Sequence, residues 1–294
     1  MTAAALAPRR TADIEREIDH ARTRGPLQHI VIPPCPVLLT RLQAALAPAE
    51  PVLQEVAAIA ASDVAMSATL LRNANSPRFA ADQPVQTIGQ AMYRLGLQET
   101  AEIMVGFIAR NTIPANHRQL QRFWERSQQR AVAMGYIAHQ LPGLSSDLAH
   151  TFGLFCHVGI PVLLQSMKGY GGTMVEADAR IDRPYVATEN ANHKTDHAVV
   201  GALVARVWRL APAVVAAIRL HHEPHSIGGS GIEAEVHTLV AAGLVAEHLM
   251  RRHEALPPEG EWVQHASAAM VWLGIGADDI DHWQHELQPQ LDAV

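Results

Sequence analysis

Ligand-capable side chains concentrate in the second half of this 294-residue chain. Cys156 and His157 are adjacent. His193 and His197 are one helical turn apart and can face one way, and His221-His222 follow with Glu223 and His225 close behind. Neutral imidazole and thiolate are ligands for a divalent transition ion such as zinc. Such an ion lowers the pKa of a bound water and polarises phosphate oxygens, which is chemistry for phosphoester hydrolysis. The same residues also have a structural use. Buried imidazoles commonly hydrogen-bond a backbone group or a carboxylate, and Glu189 and Asp196 are natural partners. Cys156 lies in an apolar stretch that predicts a buried, inert thiol rather than a nucleophile. Gly169-x-Gly171-Gly172 follows a helix rather than a strand and is no phosphate loop. Trp262, Trp272 and Trp283 are spaced to face the core from successive helices.

The elements that position these groups read as helices throughout, since no convincing alternating strand pattern occurs. The spacing predicts helices over 11–24 (capped by Thr11, stopped by Gly25-Pro26), 37–46, 51–61 and 63–74 (capped by Asp63). Ile32-Pro33-Pro34-Cys35-Pro36 must be extended between the first two. After a loop at 78–86, helices over 87–95 and 98–111 are divided at Gly96. Beyond Pro114 the reading is helix over 117–140 and 145–168, irregular chain over 169–184, and helix over 190–209. A further helix runs from Pro212 to His221-His222. Three C-terminal helices are expected over 233–253, 259–273 and 278–291.

Composition sets limits on function. The chain is 48% hydrophobic and 18% charged, a globular balance with room for a large core. A net charge of −6 and the lack of a long Lys/Arg run argue against a nucleic-acid surface. Two cysteines provide no disulfide framework and suit a reducing compartment. Residues 1–10 lack a signal-peptide core, and no apolar run approaches the ~20 residues of a membrane span. A cytoplasmic protein is expected. Most of the 17 histidines read as solvent-exposed without a regulatory role.

An ordered set of short motifs resembles the HDOD family, the HD-related output domains of bacterial signalling. The set begins with Ile32-Pro33-Pro34 and Pro36, then Asp63, then Leu70-Leu71-Arg72-Asn73-Ala74-Asn75-Ser76, then Val85, Ile88, Ala91 and Leu95-Gly96. It continues through Trp124-Glu125-Arg126-Ser127, Gly153-Leu154-Phe155-Cys156-His157-Val158-Gly159 and Glu189. His197 to Ala202, Trp208, Pro212, Ile218 and His221-His222-Glu223-Pro224 complete it. One departure is Asp63-Val64, where the family usually has Asp-Pro.

The resemblance implies an all-α fold, a two-lobed HDOD/HD-like helical bundle with a C-terminal helical extension. Residues 1–25 would be an N-terminal helix, 26–225 the HDOD domain (lobes 26–114 and 115–225), and 226–294 the extension. It also implies that the HD metal set has degenerated. Arg126 stands for the first His, Cys156-His157 for the central His-Asp, and Gly243 lies near the distal Asp position. A guanidinium cannot ligate a cation. No cofactor is therefore expected; a divalent transition metal, if retained, would use Cys156, His157, His197, His221 and His222.

The expected function is a non-catalytic signal-transduction module that binds a signalling protein partner, or a nucleotide or other anionic small ligand. The site would be a cleft between the lobes lined by Arg126, His157, His197, His221 and His222. There the planar fork of Arg126 would suit an anion. The alternative is a metal-dependent phosphohydrolase or phosphodiesterase with an unusual Cys/His site.

Overall fold

Helix follows helix along the chain, and the described residues contain no strand. The computed structural model describes residues 11–24, 26–79, 83–180 and 182–294. The signal-peptide reading of residues 1–10, the cap at Thr11 and the stop at Gly25 fall outside what is described. The helices are α1 (Thr11–Arg24), α2 (Val37–Leu46), α3 (Leu53–Ala61), α4 (Val64–Ala74) and α5 (Ile88–Thr112). There follow α6 (Phe123–Gln140), α7 (Ser146–Phe155), α8 (Gly159–Ser166), α9 (Tyr170–Ala179) and α10 (Tyr185–His193). The last are α11 (His197–Val207), α12 (Pro212–Leu220), α13 (Ala234–His253), α14 (Gly260–Leu273) and α15 (Ala277–Asp292). Helices α2 to α5 pack on one another, α6 packs on α7 and α11 on α8 and α12, and α13 packs on α6, α12, α14 and α15; the expected lobes are α2 to α5 and α6 to α12.

The family-like motifs have local physical reasons. Asp63 accepts from the amides of Ala65 and Met66 at 2.8 and 2.9 Å and so starts α4. Asn75 clamps the chain beyond the following loop: its Nδ2 donates to the Val85 carbonyl and its Oδ1 accepts from the Val85 amide. Trp208, fully buried, donates its Nε1 hydrogen to the Pro33 carbonyl at 2.9 Å. That carbonyl is free because prolines keep the segment extended, so the Pro-rich stretch ties the first lobe to the second. One apolar core runs from Ile14 and Ile18 of α1 to Leu287 and Leu291 of α15.

Four expected elements differ; in the reading of 117–140 a separate 3-10 turn over Arg118–Leu120 precedes α6. The reading of 145–168 as one helix fails at Cys156–Val158, where a turn separates α7 from α8. Glycines explain the approach of these helices to their neighbours. A Cβ on Gly153 would lie 2.8 Å from the Ala131 Cα, so α7 can press onto α6. A Cβ on Gly159 would lie 2.1 Å from the His197 carbonyl oxygen, so α8 can press onto the start of α11. The stretch Ser146–Ser166 is long and apolar enough to cross a membrane by length and composition, contrary to the sequence reading. It is nonetheless two short helices, and 67% of its apolar window is buried inside the protein.

The segment 169–184 is not irregular throughout. It contains α9, whose Tyr170, Thr173, Met174 and Ala177 bury one face at helical spacing; this packing outweighs the glycines. The reading of 190–209 as one helix also fails. Lys194 adopts φ 59° and ends α10, and Asp196 caps α11 by accepting from the Val199 amide at 2.9 Å. The division at Gly96 is present as a kink, with φ 79°, inside α5.

A half-buried titratable pair joins α5 to α7. Glu102 Oε2 lies 3.5 Å from His150 Nε2, beside a hydrogen bond from Gln98 to Ser146. Burial raises the Glu102 carboxyl to about 7, partly offset by the hydrogen bond from Gln98. Burial lowers His150 to about 4, with Arg78 adding to the shift. The folded state thus holds a proton on Glu102 that the unfolded chain releases near pH 4.5. The stabilisation from that proton is full below pH 4.5 and lost as pH rises through 7. Glu102→Gln mimics the protonated acid. It is expected to be neutral at pH 5 and to stabilise by about 1–3 kcal/mol at pH 8. Thermal melts of both proteins at the two pH values check this; equal differences at both would refute it.

Candidate functional site

Four imidazoles meet in the second lobe. His157 comes from the turn between α7 and α8, His197 from the first residue of α11, and His221 and His222 from the end of α12. One ring nitrogen of each lies within 4.8 Å of the others. His197 Nε2 is 3.3 Å from His221 Nε2 and 3.1 Å from His222 Nε2. The His157 ring lies 5.2, 5.0 and 6.0 Å from those of His197, His221 and His222, centroid to centroid. The glycine at 159 permits this meeting, since any larger residue would drive the His157 turn off the backbone of His197.

Three of the four rings are oriented from behind. His197 Nδ1 is 2.8 Å from Oε2 of Glu189, a fully buried carboxylate whose other oxygen accepts from the Tyr170 hydroxyl. His222 Nδ1 is 2.7 Å from Glu261 Oε1, and His221 Nδ1 is 2.6 Å from the Ile218 carbonyl. A carboxylate or carbonyl only accepts, so each Nδ1 carries the hydrogen. Each Nε2 is then turned inward with its lone pair. Three lone pairs facing one another at such distances repel unless a cation stands among them. This carboxylate–imidazole arrangement is the one that orients metal-binding histidines.

Without a metal, a proton takes that role. Burial opposes charge on His222, but the adjacent Glu261 outweighs it and raises the group to about 9. Burial, with the positive neighbours Arg130 and His222 respectively, holds His157 and His221 well below the ordinary histidine value. His222 is therefore charged at neutral pH. It donates through Nδ1 to Glu261 and through Nε2 to His197.

Beside the imidazoles, α6 carries Arg122, Arg126 and Arg130 on one face, and α13 answers with carboxylates. Arg126 binds Glu247 at 2.7 Å and also Glu254, while Arg130 binds Glu247 at 2.8 Å. A cavity of about 250 Å³ opens here, lined by Arg126, Ser127, Arg130, His157, His197 and His222. The Ser127 hydroxyl is buried in that lining without a partner.

The sequence expectations map onto this geometry unevenly. Arg126, His157, His197 and His222 share the cavity, whereas His221 lies behind it. The anion fork expected at Arg126 is filled by Glu247 and Glu254. Cys156 is not among the converging donors; it is buried, and burial pushes its thiol up to about 12. His193 does not face the cluster either, because the break at Lys194 turns it to Thr173, 2.8 Å away. Glu189 partners His197 as expected, but Asp196 is used as a helix cap. Near Gly243 no acid could enter, since a Cβ there would meet the Phe152 ring at 2.8 Å. The carboxylates that pair with these arginines and with His222, namely Glu247, Glu254 and Glu261, escaped the sequence reading. Their one local signal is the unbalanced Arg122, Arg126, Arg130 row.

Comparison with known proteins agrees with this architecture. A candidate signal transduction protein from Marinobacter aquaeolei VT8 has a similar crystal structure, with TM-score 0.75 and 20% identity, covering 96% of this chain and 66% of that one. An HDOD domain protein with unknown function from Geobacter sulfurreducens gives 0.71 and 20%, covering 95% and 98%. A candidate phosphohydrolase from Shewanella amazonensis SB2B gives 0.70 and 20%, covering 94% and 93%. An uncharacterized protein of Treponema pallidum (strain Nichols) is 26% identical over 201 residues, 66% of this chain. This chain spans only 38% of that relative's length. The structural likenesses, at 20% identity, concern the fold. The HDOD domain profile matches residues 32–224, which include all four converging histidines and exclude Glu247, Glu254 and Glu261. With the order of motifs, the helical architecture and this match in agreement, the chain belongs to the HDOD domain family.

Proposed function

We propose that this chain is a non-catalytic HDOD signal-transduction module whose four imidazoles form a closed centre for a zinc-class divalent metal. One observation supports this reading over the expectation of no metal: Nε2 lone pairs converge from rings fixed behind by Glu189, Glu261 and the Ile218 carbonyl. A bound metal would supply the charge that these lone pairs lack and cross-link the α7–α8 turn, α11 and the end of α12. His157, His197, His221 and His222 would hold it. Four protein ligands are the pattern of structural zinc, whereas catalytic zinc keeps a position open for water. Among the described residues, no carboxylate belongs to the converging group.

In this reading residues 26–225 are the HDOD domain, with residues 1–25 and 226–294 flanking it. The module acts in the cytoplasm, where the free thiols of Cys35 and Cys156 are at home, and passes its signal to a protein partner or an anionic small ligand.

A phosphohydrolase is the second reading. In its favour is the cavity that reaches His157, His197 and His222 with an unpartnered Ser127 hydroxyl in its wall. Bis(p-nitrophenyl) phosphate offered to the zinc- or manganese-loaded protein separates the two. The proposal expects no turnover above the protein-free rate. Turnover that disappears in His222→Ala would establish the second reading.

A further inference from the structure

The centre does not end with the family's segment. Helix α14 lies wholly beyond residue 224, yet its Glu261 is the partner of His222. Glu259, the residue just before the same helix, lies in the wall of the cavity with His222. Helix α14 thus lays its first turn against the cationic side of the site.

Along the rest of α14, Trp262, Met270 and Leu273 pack half-buried against the main core. Ala269 is its one buried residue, in a small cluster with Ala241 and Leu244 apart from the main core. Trp262 stacks on His248 with ring centroids 3.9 Å apart, and Trp272 donates to the Thr238 hydroxyl at 3.0 Å. Val263 and Val271 are 72% and 79% exposed. With one fully buried residue, α14 opens locally at lower cost than the core helices, so the partly buried polar link at its start contributes to its hold.

We propose that Glu261 is a positioning residue of the metal centre and that occupancy of the centre controls how firmly α14 is docked. This rests on the metal reading above. The carboxylate fixes the His222 ring with Nε2 facing inward. A metal held at Nε2 needs that ring orientation, so metal binding and the His222–Glu261 contact favour one another. Removal of such an outer partner costs about 10–100-fold in metal affinity. Coupling between two events is reciprocal, so metal should tighten α14 docking by the same factor.

The test is hydrogen exchange of the full chain with and without saturating zinc, with zinc affinity measured by a competing chelator. In the wild type, amides of 260–273 are expected to exchange about 10–100-fold more slowly with zinc. Glu261→Gln should bind zinc about 10–100-fold more weakly and lose this response even when saturated. Glu189→Gln should also weaken binding but keep the α14 response at saturation, because His197 is not tied to α14. Zinc bound by the wild type with no change over 260–273 would overturn this inference alone, as would an unweakened Glu261→Gln. No zinc bound by the wild type would overturn the metal reading and this inference with it.

Discussion

His197→Ala is expected to abolish tight zinc binding, weakening it by more than about a hundredfold, since even outer partners are worth 10–100-fold. His197 makes both of the short Nε2 contacts in the cluster, at 3.1 and 3.3 Å, and is the most buried of the four rings. The substitution does more than remove a ligand. It leaves Glu189, which has no solvent exposure, with the Tyr170 hydroxyl and the His197 amide as its remaining partners. A buried carboxylate stripped of its main partner costs about 3–5 kcal/mol. His197→Ala should therefore melt well below the wild type even without metal. His222→Ala separates the two effects. Its partner Glu261 is half-buried and can reach water, so this variant should lose zinc with a smaller loss of stability. Competition titration and thermal melts of both variants check this. Wild-type zinc affinity in either would remove that ring from the site.

Gly159→Ala is the second large effect, and it adds a single methyl group. That methyl would lie 2.1 Å from the His197 carbonyl oxygen and 2.8 Å from the Gly201 amide nitrogen. Both are backbone atoms of a helix buried on all sides, so neither can swing away. The turn carrying His157 must retreat from α11. Overpacking of this kind costs about 1–3 kcal/mol or more, and retreat separates His157 from the other three rings. The expected result is a lower melting temperature together with weakened zinc binding. Gly106→Ala is the contrast. It lies within α5 with nothing near its missing side chain and should stabilise by up to about 1 kcal/mol. If Gly159→Ala melts like the wild type and keeps its zinc affinity, close approach at this glycine is not what assembles the cluster.

The fold was largely legible because helical spacing, caps and breakers are local signals. Asp63, Gly96 and Pro212 mark boundaries that the structure confirms. The failures are places where neighbours decide. Tyr170, Thr173, Met174 and Ala177 bury a helical face that the adjoining glycines obscured. At Lys194 a left-handed residue interrupts what reads as continuous helix, and it carries His193 away from the site.

For the site, His157, His197, His221 and His222 were all named from sequence, since imidazole stands out by chemistry. The groups that orient and balance them were not. Arg126 meets Glu247 across 121 residues, and His222 meets Glu261 across 39. Contacts at such separations follow from how α13 and α14 pack; the arginine row signals that acids are needed but not which ones. Arg126 read alone offers an anion fork; beside α13 it has two carboxylates already.

Metal content is the most direct measurement. The full chain, purified without a metal-affinity tag, would be loaded with zinc, freed of excess by desalting, and analysed by elemental mass spectrometry. The account predicts one equivalent of zinc in the wild type and close to none in His197→Ala. A wild-type protein that retains no zinc would contradict it, leaving the four imidazoles as a proton-bridged structural cluster.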